Sequence, residues 1–366
     1  MKPAFILFLL IIIAVLGVLV FKNVFTIIPG FQNMTSGGSD GGIFKSADQG
    51  ETWTQLAAKR EKDKTKILIS GLNINDIEIN PQDSKILFAG TSTVGFIKSS
   101  DYGNSWQKLS RGSLGADSQI LSIFVDPQNP SNIYLASYFG SRGRILKSQN
   151  MGETFKEIFV THADKVMISQ VEVDNYNPAI LFASTSDGLF LESSNSGGSW
   201  QIVKDFGKPI QKFAINPKDT RRIYVILQGG GLFKSSDKGL TWKDLQPNLA
   251  KLYSKSNLGI REISIDPVSP DSIYLGADYR IFKSSDGGDN FEEMSSFIVG
   301  KEYQISTIVA DFSDPLKIYV SGGSQIYKSV DGGKQWMVKK LNTQKNIKVF
   351  KTDPNNSSII YVGLGK

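Results

Sequence analysis

The sequence Ser235-Ser236-Asp237-Lys238-Gly239-Leu240-Thr241-Trp242 is one of seven copies of a short motif that recurs along the chain. Each copy reads Ser-x-Asp/Asn-x-Gly-x-x-Trp/Phe, and successive copies begin 42 to 53 residues apart. A repeat of this length, built from strand-forming residues and glycine turns, is typical of stacked supersecondary units rather than of one irregular core. The other copies begin at Ser46, Ser99, Ser148, Ser193, Ser284 and Ser329.

A second landmark keeps a constant register with this box. In every repeat an Asp or Asn follows an isoleucine by six residues and precedes a Phe or Tyr by eight. The partial alternation of apolar residues before the Asp or Asn predicts one strand, and the run around the aromatic residue predicts a second. The Asp/Asn positions are Asn80, Asp126, Asp174, Asn216, Asp266, Asp311 and Asp353.

The box itself lies between two further predicted strands, as in Gly231-Leu232-Phe233-Lys234 before it and the Trp or Phe that ends it. Four antiparallel strands per repeat of about 45 residues are typical of a propeller blade. The chain opens with the third and fourth strands of a blade and closes with the first and second. We therefore predict an all-β, seven-bladed β-propeller of four-stranded antiparallel blades over 43–366, whose closing blade is shared by both ends of the chain.

The polar residue of each box is predicted to be structural. A tight turn is needed between the third and fourth strands, and the box glycine supplies its unusual backbone angle. The Asp or Asn side chain is expected to accept backbone N–H groups of the same turn, and Asn would preserve that hydrogen bonding while losing acid–base chemistry. These residues are Asp48, Asp101, Asn150, Asn195, Asp237, Asp286 and Asp331.

The seven boxes resemble the Asp-box (BNR) repeats of sialidases, sortilin-type receptors, two-propeller xyloglucan hydrolases and photosystem II assembly-factor-like propellers. In size and architecture the last group is the most similar. Membership of the sialidase group would imply three arginines, a Tyr–Glu pair and an Asp acid, but the arginine-containing motif that precedes the first box in that group is absent here. Xyloglucan hydrolases place their acids between two propellers, and this chain has the repeats for one.

The amino-acid composition excludes several kinds of functional site. The 366 residues contain no cysteine and one histidine, His162, which excludes disulfides, thiolate chemistry and a His-based metal cluster. The net charge of +6 is compatible with an anionic partner. We predict no metal, no cofactor and no nucleic-acid partner, and a monomeric propeller.

The amino terminus carries an uninterrupted apolar run from Ala4 to Phe21. Eighteen residues in a helix span about 27 Å, close to the thickness of a bilayer core. We predict a transmembrane signal anchor over 1–22 and a flexible tether over 23–42. The expected location is therefore a single-pass membrane protein with the propeller outside the cytoplasm.

Candidate ligand-binding residues lie in the loops that vary between repeats, on the face opposite the boxes. The long excursions are 57–72 and 246–259, with a smaller insertion at 138–144. Arginines with aromatic residues suit carboxylate, phosphate or sugar surfaces. The candidates are Lys62, Lys64, Tyr138, Phe139, Arg142, Arg144, Tyr253, Arg261, Tyr279 and Arg280.

Three functions remain open from the sequence, one of them a purely structural surface protein with no specific ligand. The first is a non-enzymatic binding or assembly scaffold that engages a membrane or cell-envelope protein, an anionic glycan or a lipid. The alternative is a carbohydrate-active enzyme, which would need two carboxylates in one pocket. Asp187 and Asp278 are possible acids on the loop face, whereas His162 is expected to be an exposed bystander. The first function is the one predicted, with no catalytic residue assigned.

Overall fold

The computed structural model describes residues 40–56, 67–252, 258–294 and 303–365. These residues form seven four-stranded antiparallel sheets, each a blade of a β-propeller. The predicted all-β architecture, blade number and strand count per blade are confirmed. The innermost strands are β3 (Ile74–Ile79), β7 (Gln119–Val125), β11 (Ile168–Val173), β15 (Ile210–Ile215), β19 (Ile260–Ile265), β23 (Ile305–Ala310) and β27 (Asn346–Asp353).

The second strand of each blade is the most buried, since it lies between two strands and packs on both faces. Its residues form a nearly continuous apolar run, as this environment requires. These strands are β4 (Leu87–Thr91), β8 (Ile133–Phe139), β12 (Leu181–Thr185), β16 (Ile223–Leu227), β20 (Ile273–Ala277), β24 (Ile318–Gly322) and β28 (Asn356–Gly365).

The third strand leads into the box and the fourth forms the outer edge of the blade. The third strands are β1 (Ile43–Ser46), β5 (Phe96–Ser99), β9 (Arg142–Ser148), β13 (Leu189–Ser193), β17 (Leu232–Ser235), β21 (Arg280–Ser284) and β25 (Gln325–Ser329). The outer strands are β2 (Thr54–Leu56), β6 (Gln107–Leu109), β10 (Lys156–Val160), β14 (Gln201–Asp205), β18 (Lys243–Asp244), β22 (Glu292–Glu293) and β26 (Met337–Lys340).

The closing blade contains strands from both ends of the propeller, in the order β2-β1-β28-β27. Ile43 of β1 pairs with Gly363 of β28. A buried apolar cluster then joins this blade to the next, with Ile43 and Tyr361 packed together with Ile77 and Trp106. Pairing β1 with β28 satisfies the backbone groups that would otherwise form two free edges.

Each box forms a hydrogen-bonded turn of the same geometry. In the first copy, Ser46 Oγ accepts the Gly50 amide at 2.8 Å, and Asp48 Oδ1 accepts the Thr52 amide at 2.8 Å. Equivalent bonds are present in the other six copies. The residue before the box glycine also has a positive φ, as Gln49 does at 59°, so the turn uses two left-handed residues and not the glycine alone.

Residues at the start of the described chain are attached to the propeller. Asp40 accepts the Gln344 amide at 3.0 Å, and the Gly42 amide donates to the Leu72 carbonyl at 3.0 Å. Residues 40–42, predicted as the end of a flexible tether, therefore form part of the folded domain. The rest of the predicted tether lies outside the described residues.

The membrane prediction requires a correction. Across the ranges that the structure describes, no helix is long and apolar enough to span a bilayer. The expected single-pass membrane protein with an extracytoplasmic propeller thus has no support in the described residues, and the predicted anchor over 1–22 falls outside them.

Candidate active site

Every innermost strand contains a β-bulge at the same place. The register with the second strand shifts between the landmark isoleucine and the residue two positions later, as between Ile74 and Asp76. The bulge inserts one extra residue, so the alternation of side chains changes phase at this point. The other six shifts occur at Ile120/Ser122, Ile168/Gln170, Ile210/Lys212, Ile260/Glu262, Ile305/Thr307 and Ile347/Val349.

The bulge decides which side chains face the centre of the ring. The isoleucine and the residues three and five positions later are directed into the blades, as Ile74, Ile77 and Ile79 are. The residues one, two and four positions after the isoleucine line a central channel of about 870 Å³. A bulge thus brings two consecutive side chains to the channel where a regular strand would bring one.

The positions two and four residues after the landmark isoleucines bring four carboxyl groups and two lysines to this channel. Two positions after the isoleucine stand Asp76, Lys212 and Glu262, and four positions after it stand Glu78, Glu172 and Lys351. The strands begin on the loop face, so the first set lies nearer that face. Glu78 and Lys351 also line a smaller opening on the box face, beside Pro81 and Pro354.

Ion pairs and hydrogen bonds connect these groups between blades. Lys351 Nζ donates to Glu78, and Lys212 Nζ donates to Glu262. Asp76 Oδ2 accepts the Ile123 amide of the next blade at 2.7 Å. These contacts fix the channel side chains on a rigid scaffold, as a preorganised site requires.

Glu172 has different hydrogen-bond partners from the other channel glutamates. Its Oε1 accepts a hydrogen bond from Gln170 Nε2 at 2.5 Å. The same amide nitrogen of Gln170 donates to the Phe213 carbonyl at 3.0 Å, while Gln170 Oε1 accepts the Phe213 amide at 3.0 Å. Glu172 is therefore held by a neutral amide, whereas Glu78 and Glu262 each receive a lysine ammonium.

Burial shifts the titration of all four carboxyl groups upward, because the channel wall removes water from the charged form. It raises the pKa of Glu78 to about 7, with Lys351 opposing the shift and Asp76 adding to it. It also raises the pKa of Glu172 to about 7, against the hydrogen bond from Gln170. Burial raises the pKa of Asp76 and of Glu262, each partly offset by a lysine.

Lys351 stays protonated beside the carboxyl groups of the channel. Burial lowers the pKa of Lys351, but the Glu78 and Asp76 carboxylates outweigh that effect, and the pKa is raised overall. Across the described part of the chain, no group of three or more His, Asp or Glu residues is placed to hold a metal ion.

The predicted loop-face arginines fall into two groups. Arg142, Arg144 and Arg280 each form an ion pair with an acid 13 to 22 residues further along the chain. Arg142 Nε lies 3.0 Å from Asp164, Arg144 pairs with Glu157, and Arg280 binds both oxygens of Glu293 at 2.7 and 2.8 Å. Arg261, in contrast, is exposed and lines the channel.

Of the aromatic residues predicted to bind a ligand on the loop face, only Phe139 is exposed among those that the structure describes. The predicted insertion at 138–144 is a hairpin that extends β8 and β9, with Gly140 and Ser141 both in the left-handed region at its tip. Phe139 is 41% exposed, and the Arg144 guanidinium lies 5.9 Å from its ring centroid. Tyr138 and Tyr279 are half-buried. Lys62, Lys64 and Tyr253 lie outside the described residues.

The other two acids considered from the sequence do not join the channel group. Asp187 accepts a hydrogen bond from Thr185 and lies 3.6 Å from His162 Nε2. Asp278 adopts a left-handed backbone at a tight turn, with φ of 50°. Neither residue lines the channel.

Sequence reasoning did not identify the channel carboxylates. A detectable signal was present in the spacing of the isoleucines, which recur at intervals of three and then two, as in Ile260, Ile263 and Ile265. Strict alternation cannot bury all three, so the pattern itself requires a bulge. Charged residues two and four positions after the first isoleucine then have to face the channel.

Comparison with known proteins gives relatives of one enzymatic type. No protein-family profile matches the chain. The chain is 24% identical over 241 residues to a probable oligoxyloglucan-reducing end-specific xyloglucanase of Neosartorya fischeri, covering 63% of this chain and 25% of the relative. It is 26% identical over 154 residues to a xyloglucanase of Hypocrea jecorina, covering 34% of this chain and 18% of the relative. The chain thus spans about a quarter or less of the length of these curated relatives.

Solved structures with a similar fold include two kinds of protein. The GH74 xyloglucanase of Xanthomonas campestris superposes with a TM-score of 0.66 at 17% identity, over 80% of this chain and 51% of that one. A structure described as YCF48 bound to D1 peptide superposes with a TM-score of 0.63 at 12% identity, over 85% of this chain and all of that one. At these identities the likeness establishes the fold only.

The curated relatives correct the functional prediction. These two relatives, and two further matches from Emericella nidulans and Acetivibrio thermocellus, are all named as xyloglucanases. The prediction of a non-enzymatic binding or assembly scaffold is therefore wrong, and these relatives favour the enzymatic alternative.

Proposed function

We propose that this propeller is a glycoside hydrolase whose active site is the central channel, entered from the loop face. The observation that carries the proposal is the convergence of Asp76, Glu78, Glu172 and Glu262 on one channel of about 870 Å³. Most glycoside hydrolases cleave the bond with a pair of carboxyl groups, one protonated and one ionised. The xyloglucanase relatives support the same reaction class.

Glu172 and Glu78 have different hydrogen-bond partners, and this difference suggests which of the two is the acid and which the carboxylate. Glu172 receives only an amide hydrogen bond and has its pKa raised to about 7, so it holds a proton near neutrality. Burial raises the pKa of Glu78 to about 7 as well, but Glu78 receives the Lys351 ammonium directly, so it is the ionised member when the pair holds one proton. In the proposed mechanism Glu172 protonates the glycosidic oxygen as general acid. Glu78 acts as the carboxylate, either as nucleophile or as the base that activates water.

Glu78 and Glu172 also interact in a way that keeps one of them protonated. The Glu78 carboxylate is close enough to raise the pKa of Glu172 further. An ionised carboxylate beside a second carboxyl disfavours a second negative charge, so the pair keeps one proton over a wide pH range. Asp76 and Glu262 flank the pair nearer the loop face and are assigned to hydrogen bonding of sugar hydroxyls.

The loop-face aromatic residues are proposed to bind sugar outside the channel. Phe139 exposes 41% of its surface, and the Arg144 guanidinium lies 5.9 Å from its ring centroid. Sugar rings pack their apolar C–H faces on aromatic side chains of this kind. This surface would contribute binding and not chemistry.

The experiment is the release of reducing ends from a panel of soluble polysaccharides, including xyloglucan, by the wild-type chain and by Glu172→Gln, Glu78→Gln and Glu292→Gln. Glu292 is an exposed acid on the outer strand β22 and serves as the matched control. We expect a loss of about 100-fold or more for the first two variants and no change for the third. Absence of release from every polysaccharide, or full activity of Glu172→Gln, would overturn the proposal.

A further inference from the structure

The entrance of the channel on the loop face has a charge of its own. It is lined by the residues that directly follow the landmark isoleucines, which we call the mouth ring. Two of its seven members are cations, none is acidic, and the bulge directs all of them to the channel. The mouth ring consists of Asn75, Leu121, Ser169, Gln211, Arg261, Ser306 and Lys348.

Arg261 and Lys348 are the two cations, and both are exposed. Among the described residues neither forms an ion pair, whereas Arg142, Arg144 and Arg280 on the same face each do. A guanidinium without a carboxylate partner keeps its planar pair of donors available for an external anion.

Lys348, on the innermost strand of the closing blade, lies beside Gly365 of the neighbouring strand β28. An ideal Cβ added to Gly365 would lie 2.9 Å from Lys348 Cγ, so the absence of a side chain there leaves room for the lysine stem. The stem therefore lies against β28, and the Lys348 side chain lines the channel. A side chain at position 365 would displace it.

The charges change sign with depth. Below the mouth ring, the next two layers contain Asp76, Glu78, Glu172 and Glu262 against Lys212 and Lys351, and each lysine is already paired. An anion is therefore attracted to the entrance and repelled from the interior. This arrangement places an anionic group of a ligand at the mouth ring and an uncharged part of the same ligand beside the carboxyl groups.

We propose that the mouth ring is a subsite for a carboxylate carried by the glycan, so that the substrate is a polysaccharide containing uronic acid residues. Arg261 binds the carboxylate through two N–H donors, and Lys348 adds a second positive charge. This inference rests on the proposed glycosidase function, because that function places a sugar chain in the channel. It differs from it in naming a charged substrate class.

The test is binding, measured separately from hydrolysis. Affinity electrophoresis of the full chain is run in polygalacturonate, alginate and glucuronoxylan, and in the same polymers after carboxyl reduction, which removes the charge and keeps the chain. We expect at least one acidic polymer to retard the protein, its reduced form to retard it about tenfold less, and added salt to weaken the retardation.

The variants locate the subsite. Arg261→Gln and Lys348→Gln should each weaken binding of the acidic polymer about 5- to 10-fold, and the double variant should abolish the preference over the reduced polymer. Arg111→Gln and Lys340→Gln, which change exposed cations away from the channel, are the matched controls and should bind as the wild type does.

The outcomes separate this inference from the proposed function. Charge-dependent binding that is lost in the double variant supports the subsite even if no polymer is hydrolysed. Equal retardation by acidic and reduced polymers, no binding to any acidic polymer, or undiminished binding by the double variant overturns it. Hydrolysis of neutral polysaccharides together with any of those results would leave the glycosidase proposal intact and remove the uronate subsite.

Discussion

Lys351, on the innermost strand of the closing blade, donates a hydrogen bond to Glu78 on the innermost strand of the first complete blade. The pair therefore joins the two ends of the propeller inside the channel. Ser84 Oγ supports the same junction by donating to Asp353 Oδ1 at 2.7 Å. One ion pair thus contributes both to ring closure and to the candidate active site.

Removing one partner of this pair should destabilise the fold. Lys351→Met leaves Glu78 without its ammonium partner, and we expect a loss of about 2 kcal/mol in the free energy of unfolding. The double variant Lys351→Met, Glu78→Gln removes the uncompensated charge and should recover more than half of the loss. Guanidinium denaturation of the three proteins gives these values. A double variant no more stable than Lys351→Met would argue against an uncompensated charge as the cause.

The raised pKa of Glu172 predicts how stability depends on pH. Its pKa is 4.5 in an unfolded chain and about 7 in the fold, so between these values the native state holds a proton that the unfolded state has released. The contribution of the Glu172 proton to the free energy of unfolding should therefore be fully present below pH 4.5. It should be lost as the pH rises through about 7. We expect Glu172→Gln to remove a decline on the order of 2 kcal/mol between pH 4.5 and 8.

The same pH series needs a control for general charge effects. Glu292→Gln removes one exposed carboxylate from the outer strand β22 and should leave the slope of stability against pH unchanged. Thermal unfolding followed by circular dichroism at each pH provides the comparison. A wild-type protein whose stability rises steadily from pH 4.5 to 8 would contradict a buried acid at position 172.

The box aspartates should tolerate asparagine and not alanine. Asp48 Oδ2 accepts a hydrogen bond from the Thr52 hydroxyl, whereas in the third box Asn150 Nδ2 donates to the Thr154 hydroxyl at 2.9 Å. The hydroxyl can reverse its role, so Asp48→Asn should cost less than about 0.5 kcal/mol, and Asp48→Ala should cost about 1–2 kcal/mol. Melting temperatures of the two variants provide the test, and equal losses would refute this role for the box.

The attachment of residues 40–42 can be tested with two glycines. Gly42 has φ of 79°, and a Cβ there would lie 2.6 Å from the Ile69 carbonyl oxygen. Gly207 has φ of 63° and nothing within 4 Å of the same position. Gly207→Ala should cost about 1 kcal/mol for backbone strain alone, and Gly42→Ala about 3 kcal/mol. Similar values for both in chemical denaturation would show that residue 42 does not pack against the propeller.

The sequence was sufficient for the blade count and for ring closure, because each repeat carries its own register of isoleucine, Asp/Asn and aromatic residue. The channel was missed for a physical reason. Strict alternation from Ile168 would direct Gln170 and Glu172 into the blade, and only the bulge reverses them. For the loop-face arginines, the sequence predicted the face but not the ion-pair partners. Those partners depend on where side chains from other parts of the chain lie in the fold, as Asp164 does beside Arg142. The same holds for Arg144 and Arg280.

The assignment of Glu172 as general acid predicts how glycan hydrolysis depends on pH. Initial rates of reducing-end release are measured from pH 4.5 to 9 for the wild type and for Glu172→Gln. A protonated Glu172 with a pKa of about 7 predicts that wild-type kcat/KM falls above neutrality and that the variant is slower by about 100-fold and lacks this decline. Equal rates for the two proteins, or a wild-type rate that is constant to pH 9, would contradict the account.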